Sequence, residues 1–375
     1  MSSLWNDTPF TRRLGLRYPI VQGPFGGGFS TARLTATVSN AGGLGSFGAQ
    51  GQPAERMVAI VGEIRALTSA PFAVNLWVST DDDGAKTVSR ERYDAALRPI
   101  APLLEELGVK PAAYPFAAWP QFADQIAALI EARPPVISFI FGVPPADVVE
   151  RCRAQGIITM GVVTTAQEAV AVEDAGVDVV IASGFEAGGH RASFLRSAES
   201  SLTGTFALIP QVADAVKIPV VAAGGIGDAR GVAAALTLGA HGAQLGTAFL
   251  ACEESNAPAI HKDVLHSPAA GQTVLTTGFS GRLARGVRNT IAEIYADPSV
   301  PRLPYPVQGQ LVGALRERAI AQGRSDLISL WSGQAARLVR HRRAGELFEE
   351  LVAGTAAIFE GRYAGRPLSP QSPLP

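Results

Sequence analysis

Three stretches in the second half of the chain decide its architecture: Val177-Asp-Val-Val-Ile-Ala-Ser183, Ile218-Pro-Val-Val-Ala-Ala223 and Gly242-Ala-Gln-Leu-Gly-Thr247. Each is a short apolar run, rich in small and β-branched residues, that closes on glycine or a polar side chain. Each follows a longer segment with helical spacing, at 166–175, 206–216 and 229–238. A strand buried on both faces reads as a continuous apolar run, and strands alternating with helices build a parallel sheet. Working outward, the same reading predicts strands over 19–22, 43–47, 72–78, 136–141 and 157–163, with helices over 31–41, 54–67, 121–131 and 146–154. The total is eight strand runs, the number that closes a (β/α)8 barrel, so the fold class expected is an α/β TIM barrel. One helix start carries a mechanism of its own, since Thr165-Ala-Gln-Glu168 has the spacing of a capping box.

Two regions exceed a minimal barrel. Residues 79–120 are too long for a simple connection and contain a helical stretch near 91–107, which reads as an insertion after the third strand. Beyond about residue 254, helical runs at 311–321, 325–339 and 345–359 follow a proline-rich stretch at 301–306 and predict a helical appendage beside the barrel. The division expected is a barrel over 1–255, a C-terminal helical region over 256–366, and a disordered Pro- and Ser-rich tail over 367–375.

Composition narrows the function classes. The 375 residues carry 32 Lys and Arg against 33 Asp and Glu, which leaves no basic excess to coat nucleic acid or an anionic membrane. The hydrophobic fraction of 47% is ample for a packed core. Cys152 and Cys252 are the only cysteines and can form neither a disulfide framework nor a four-ligand metal site. With no apolar segment of about 20 residues and no signal-like start, the expected location is the cytoplasm.

The chemistry should sit where barrels work, at the carboxyl ends of the strands, with phosphate held after the seventh and eighth. Ala223-Gly224-Gly225-Ile226-Gly227-Asp228 follows the seventh run, and Gln244-Leu245-Gly246-Thr247 closes the eighth. Glycine lets backbone amides approach phosphate oxygens, a following helix adds its dipole, and Thr247 offers a hydroxyl. After the sixth run comes Ser183-Gly-Phe-Glu186-Ala-Gly188-Gly189-His190-Arg191, which makes His190 the candidate base of the five histidines. Glu186 and Arg191 read more simply as loop anchors. Asn75, a lone amide in the apolar third run, needs buried partners or a heteroaromatic ligand. Gly43-Leu-Gly45-Ser-Phe-Gly48 with Glu63 imitates a dinucleotide fingerprint, but a helix end rather than a strand precedes it, so it reads as a turn and the second strand.

Glu186-Ala-Gly-Gly-His190-Arg, the two glycine motifs and Pro19-Ile-Val-Gln22-Gly-Pro together resemble the class I nitronate monooxygenases, formerly 2-nitropropane dioxygenases. The resemblance runs from about 19 to 255 and continues loosely into Trp331-Ser-Gly-Gln-Ala-Ala. It implies an FMN-dependent oxidation of alkyl nitronates, such as propionate 3-nitronate, by O2 to a carbonyl compound and nitrite through a flavin semiquinone. FMN contacts are implied at Gln22, Gly23, Asn75, Gly188, Gly189, Gly224, Gly225, Gln244, Leu245, Gly246 and Thr247, with His190 as the catalytic base and no metal. Ser183 is counted with these contacts although it stands where family members commonly have Gln, and Phe25 stands where they often have Met. The partners expected are a small nitronate and O2, and a homodimer is compatible with the sequence. The alternative is an FMN-dependent NAD(P)H reductase, of the enoyl-acyl-carrier-protein or quinone kind, on the same barrel.

Overall fold

A computed structural model describes residues 5–78, 88–117 and 119–362. Eight parallel strands form a barrel: β1 (Ile20–Gln22), β2 (Gly45–Gly48), β3 (Phe72–Trp77), β4 (Val136–Ile140), β5 (Ile158–Val163), β6 (Val179–Ser183), β8 (Val220–Ala223) and β9 (Gly242–Leu245). The two-residue strand β7 (Gly189–His190) lies outside it. Neighbours run in the order β1-β9-β8-β6-β5-β4-β3-β2, and a parallel bridge between Val21 and Leu44 joins the two ends. All eight expected runs are therefore present, seven of them trimmed by one or two residues and the second shifted from 43–47 to Gly45–Gly48.

The barrel is filled as its sequence requires. Inward side chains of Val21, Ala73, Val136, Met160, Val179, Ile181 and Val221 meet in one cluster, plugged from the amino-terminal end by Phe10 and Leu14 of the helix Pro9–Leu14. Outward residues pack under the helices. Gly45 has a reason beyond turning, since a Cβ there would lie 1.9 Å from the carbonyl oxygen of Thr35 on the helix Ala32–Asn40. That contact, rather than a nucleotide, accounts for the imitation fingerprint.

The expected capping box is half realised. Thr165 accepts from the Glu168 amide, but the Glu168 side chain turns away to accept from the Thr164 amide and hydroxyl and from the amides of Phe194 and Leu195. Four donors outweigh one, so this fully buried carboxylate ties the loop after His190 to the barrel instead of closing its own helix.

The C-terminal region departs most from expectation. The run at 311–321 divides into Val307–Gly313 and Arg316–Ala321. The run at 325–339 is not a helix: 3-10 turns at Ser325–Leu327 and Gln334–Leu338 flank extended chain, because Asn289, Val287 and Arg285 take up its backbone groups from the side. The helix Ala344–Phe359 packs on the barrel helices Ala229–Thr237 and Ala32–Asn40, in the place of an eighth barrel helix. The rest covers the barrel mouth rather than its flank. Tyr93, Ile100, Leu104 and Leu107 of the insertion share one core with Phe279, Ile291, Leu303, Leu311 and Leu330. A small antiparallel sheet, β10 (Thr273–Thr276), β11 (Ala284–Val287) and β7, stitches this cover to the loop that carries His190. The tail expected to be disordered, 367–375, and the start of the insertion, 79–87, lie outside the described residues.

Candidate active site

Between the strand ends and this cover lies a cavity of about 650 Å³, in the size range of cofactor and ligand sites. Of the residues singled out from sequence, Gly23, Asn75, Ser183, Gly188, Gly189, His190, Gly224, Gly225, Gln244, Gly246 and Thr247 line it. Gln22 and Leu245 do not. Gln22 is fully buried, accepting from the Ser46 amide at 3.0 Å and donating to the Gly23 carbonyl, so its side chain joins β1 to β2. Leu245 packs outward with Ile20 and Phe249.

The β8 and β9 side of the cavity is made of backbone. Gly224 and Gly225 sit at φ +98° and +69°, the left-handed region that glycine enters without strain. The amides of Gly224, Gly225 and Gly246 donate to no described residue. A Cβ on Gly246 would meet no atom within 4 Å, so that position opens directly onto empty space. Thr247 uses its hydroxyl to accept from the Gly333 amide at 2.9 Å, pinning the cover to the end of β9.

The β6 loop is held by charge. Arg191, only 2% exposed, donates from Nη1 to the Gly184 carbonyl at 2.6 Å and from Nη2 to the Ser183 carbonyl at 3.0 Å. Burial pushes its guanidinium down to about 10, leaving it charged at neutral pH. Glu186 accepts from the Thr205 amide and hydroxyl, while Arg285 of β11 donates to the Phe185 carbonyl. Gly188 packs so closely on the cover that a Cβ would lie 2.6 Å from the Gly333 nitrogen.

These anchors deliver His190 into an aromatic box. Its ring centroid lies 5.0 Å from Trp77, 5.1 Å from Trp331, 5.9 Å from Tyr305 and 6.0 Å from Phe141. Nε2 is 2.7 Å from the Ser280 hydroxyl, which can itself donate to the Arg282 carbonyl at 3.3 Å. In that arrangement Nε2 carries the proton and Nδ1 keeps its lone pair, with no described residue bonded to it. Burial first, and then the Arg282 charge, push the imidazole down to about 3, so it is neutral at physiological pH. Asn75 donates to the Ser138 carbonyl and hydroxyl at 3.1 and 3.0 Å, which satisfies its amide nitrogen inside the barrel. Of the other histidines, His241 accepts the Val220 amide at the far end of the barrel. Fully buried His261 contacts the Trp331 carbonyl through Nε2.

Sequence reasoning gave no site role to Trp77, Ser280, Arg282, Tyr305 or Trp331, the last quoted only as the start of the loosely resembling stretch. Trp77 carried a signal, since it lies two residues after Asn75 and so shares its face of the strand. The others come from 90 or more residues beyond His190 and join it only through the small sheet.

Fold and cavity together define a (β/α)8-barrel enzyme whose working site is built at the carboxyl ends of its strands. Residues 8–354 match the nitronate monooxygenase family. A nitronate monooxygenase of Pseudomonas aeruginosa is 44% identical over 347 residues, 92% of this chain and 97% of that one. A probable nitronate monooxygenase of Staphylococcus haemolyticus is 39% identical over 93% and 97%. Among solved structures, a nitroalkane oxidase from Streptomyces ansochromogenes superposes with a TM-score of 0.85 at 37% identity, covering 94% and 99%. FabK from Thermotoga maritima follows at 0.72 and 28%, covering 94% and 97%. The chain belongs to the nitronate monooxygenase family, and is thereby an oxidoreductase of a flavin-dependent, nitronate-oxidising group.

Proposed function

We propose that the chain binds FMN across the barrel mouth and oxidises alkyl nitronates, propionate 3-nitronate among them, with O2 to a carbonyl compound and nitrite. The observation that carries this reading is the single cavity in which unbonded glycine amides and a neutral, boxed histidine face the same space. The phosphate would rest on Gly224, Gly225, Gly246 and Thr247, where amides are available and the space in front of Gly246 is open. Gly23, Ser183, Gly188, Gly189 and Gln244 would flank the cofactor, and Asn75 would sit under its ring system. Bound there, the flavin supplies the oxidation of the substrate and the reaction with oxygen.

The protein's own share is placement and proton handling. The aromatic box crowds the imidazole, and burial keeps His190 neutral. Ser280 holds the ring through Nε2, and with the proton on Nε2 it is Nδ1 that serves as acceptor. His190 then takes the α-proton of a neutral nitroalkane at Nδ1, and a preformed nitronate needs no such transfer.

The test is anaerobic mixing of the flavin-loaded protein with propionate 3-nitronate or with NADH, followed by admission of air and a nitrite assay. A one-electron change in the flavin spectrum on adding the nitronate, with nitrite release in air, is the expected result. The likeness to FabK favours a second reading, a reductase, which bleaching by NADH without any response to nitronate would establish.

A further inference from the structure

Among the described residues that line the cavity, one carries a formal charge, and it is Arg316. Glycine, apolar, aromatic and neutral polar side chains make up the remainder, with no carboxylate among them. Arg316 is exposed at the first position of the helix Arg316–Ala321, where the cavity meets solvent. Its guanidinium stands 5.1 Å above the Phe29 ring, and Phe29 belongs to the loop that follows β1 and lines the same cavity. It makes no hydrogen bond or ion pair with any described residue. The chain as a whole carries a formal charge of −1, so its overall field offers an anion no attraction.

A cation at the mouth of a cavity with low-dielectric walls focuses its field along the entrance, and this raises the local concentration of oppositely charged ligands. The second cation nearby, Arg282, lies deeper, over the rings of Phe141 and Tyr305. The contact with Phe29 holds the guanidinium against the rim without neutralising it. The nitronate and its parent nitroalkane differ by one proton and one negative charge while sharing the same carbon skeleton. An entrance cation with no ion-pair partner among the described residues separates those two molecules where apolar walls cannot.

We infer that Arg316 is a specificity-determining residue for association: it draws the anionic nitronate into the cavity in preference to the neutral nitroalkane. The inference rests on the nitronate-oxidising reading above and goes beyond it by naming the group that selects the charge state.

The experiment measures kcat/KM for propane 1-nitronate on the FMN-loaded full chain at about 10 mM and about 300 mM salt, for the wild type, Arg316→Gln and Arg316→Lys. The wild-type value should fall about 3- to 10-fold across that range, as screening of a steering charge requires. Arg316→Gln should start several-fold lower and lose the salt dependence, and Arg316→Lys should recover it. A salt-independent loss in Arg316→Gln that Arg316→Lys does not repair would reduce the residue to a cover over Phe29 and overturn the inference. So would a weakened FMN affinity in Arg316→Gln, which would make the residue a partner of the cofactor phosphate. Absence of nitrite from the wild type with any nitronate would instead remove the underlying functional reading.

Discussion

The two walls of the cavity are built by opposite means. The wall at the ends of β8 and β9 is backbone: Gly224, Gly225 and Gly246 present amides, and their positions follow from where two adjacent strands stop. The facing wall is side chain: Trp77 from β3, Ser280 from the loop before β11, Tyr305 from the proline-rich stretch and Trp331 from the extended C-terminal segment. A phosphate cradle needs only small residues at strand ends, which any barrel supplies. A box that crowds an imidazole needs bulky residues from several directions, and this barrel acquires most of them by folding its C-terminal region back over the mouth.

That contrast can be broken first at His190. His190→Asn should lower oxidation of a neutral nitroalkane about 10³-fold, the scale of a lost general base, while FMN remains bound. Oxidation of a preformed nitronate should fall far less. Equal losses on both substrates would place His190 with the orienting groups rather than with proton transfer.

The backbone wall is tested next. Gly246 has φ −99°, which any residue adopts, and a methyl there touches no protein atom. Gly246→Ala should therefore keep the melting temperature but weaken FMN binding about 10-fold, measured by flavin fluorescence, because the methyl occupies phosphate space. An unchanged FMN affinity would move the phosphate elsewhere.

The cover has its own weakness in acid. Burial holds His261 down to about 4 and His190 to about 3, against ordinary values near 6.5. Both are stabilised as neutral rings, so the unfolded chain binds more protons as pH falls below 6.5. Their contribution is complete above that pH and is lost progressively as pH descends toward 4 and then 3. His261 alone should cost about 2 kcal/mol by pH 5, seen as a falling melting temperature that His261→Gln makes shallower. A profile identical in the variant would show that the ring is not held neutral.

The smallest effect is expected at Ser280. Ser280→Ala removes the partner at 2.7 Å and should slow nitroalkane oxidation about 5- to 10-fold, with Ser280→Thr restoring most of it. Equal activity in the alanine variant would mean that the aromatic box orients the ring unaided.

Most of the backbone wall was legible in the chain. Gly224, Gly225 and Gly246 announce themselves because strand ends and glycines lie within a few residues of one another. Gln22 and Leu245 do not line the cavity for one reason: successive residues on a strand face opposite sides, and these two side chains point away from it. The facing wall was largely illegible. Residues 325–339 have helical spacing yet run extended past His190, since β11 and the Asn289 side chain capture their backbone groups from more than 30 residues away. Glu168 likewise abandons its local cap for the amides of Phe194 and Leu195.

The sequence by itself determined the barrel, its eight strands, and the glycines and the histidine that line its mouth, because each depends on periodicity or on residues adjacent along the chain. The tertiary structure alone decided that His190 is boxed and neutral, that Ser280 sets its orientation, and that Arg316 stands at the entrance. Those properties depend on desolvation and on contacts between segments far apart in sequence, and neither leaves a mark on local spacing.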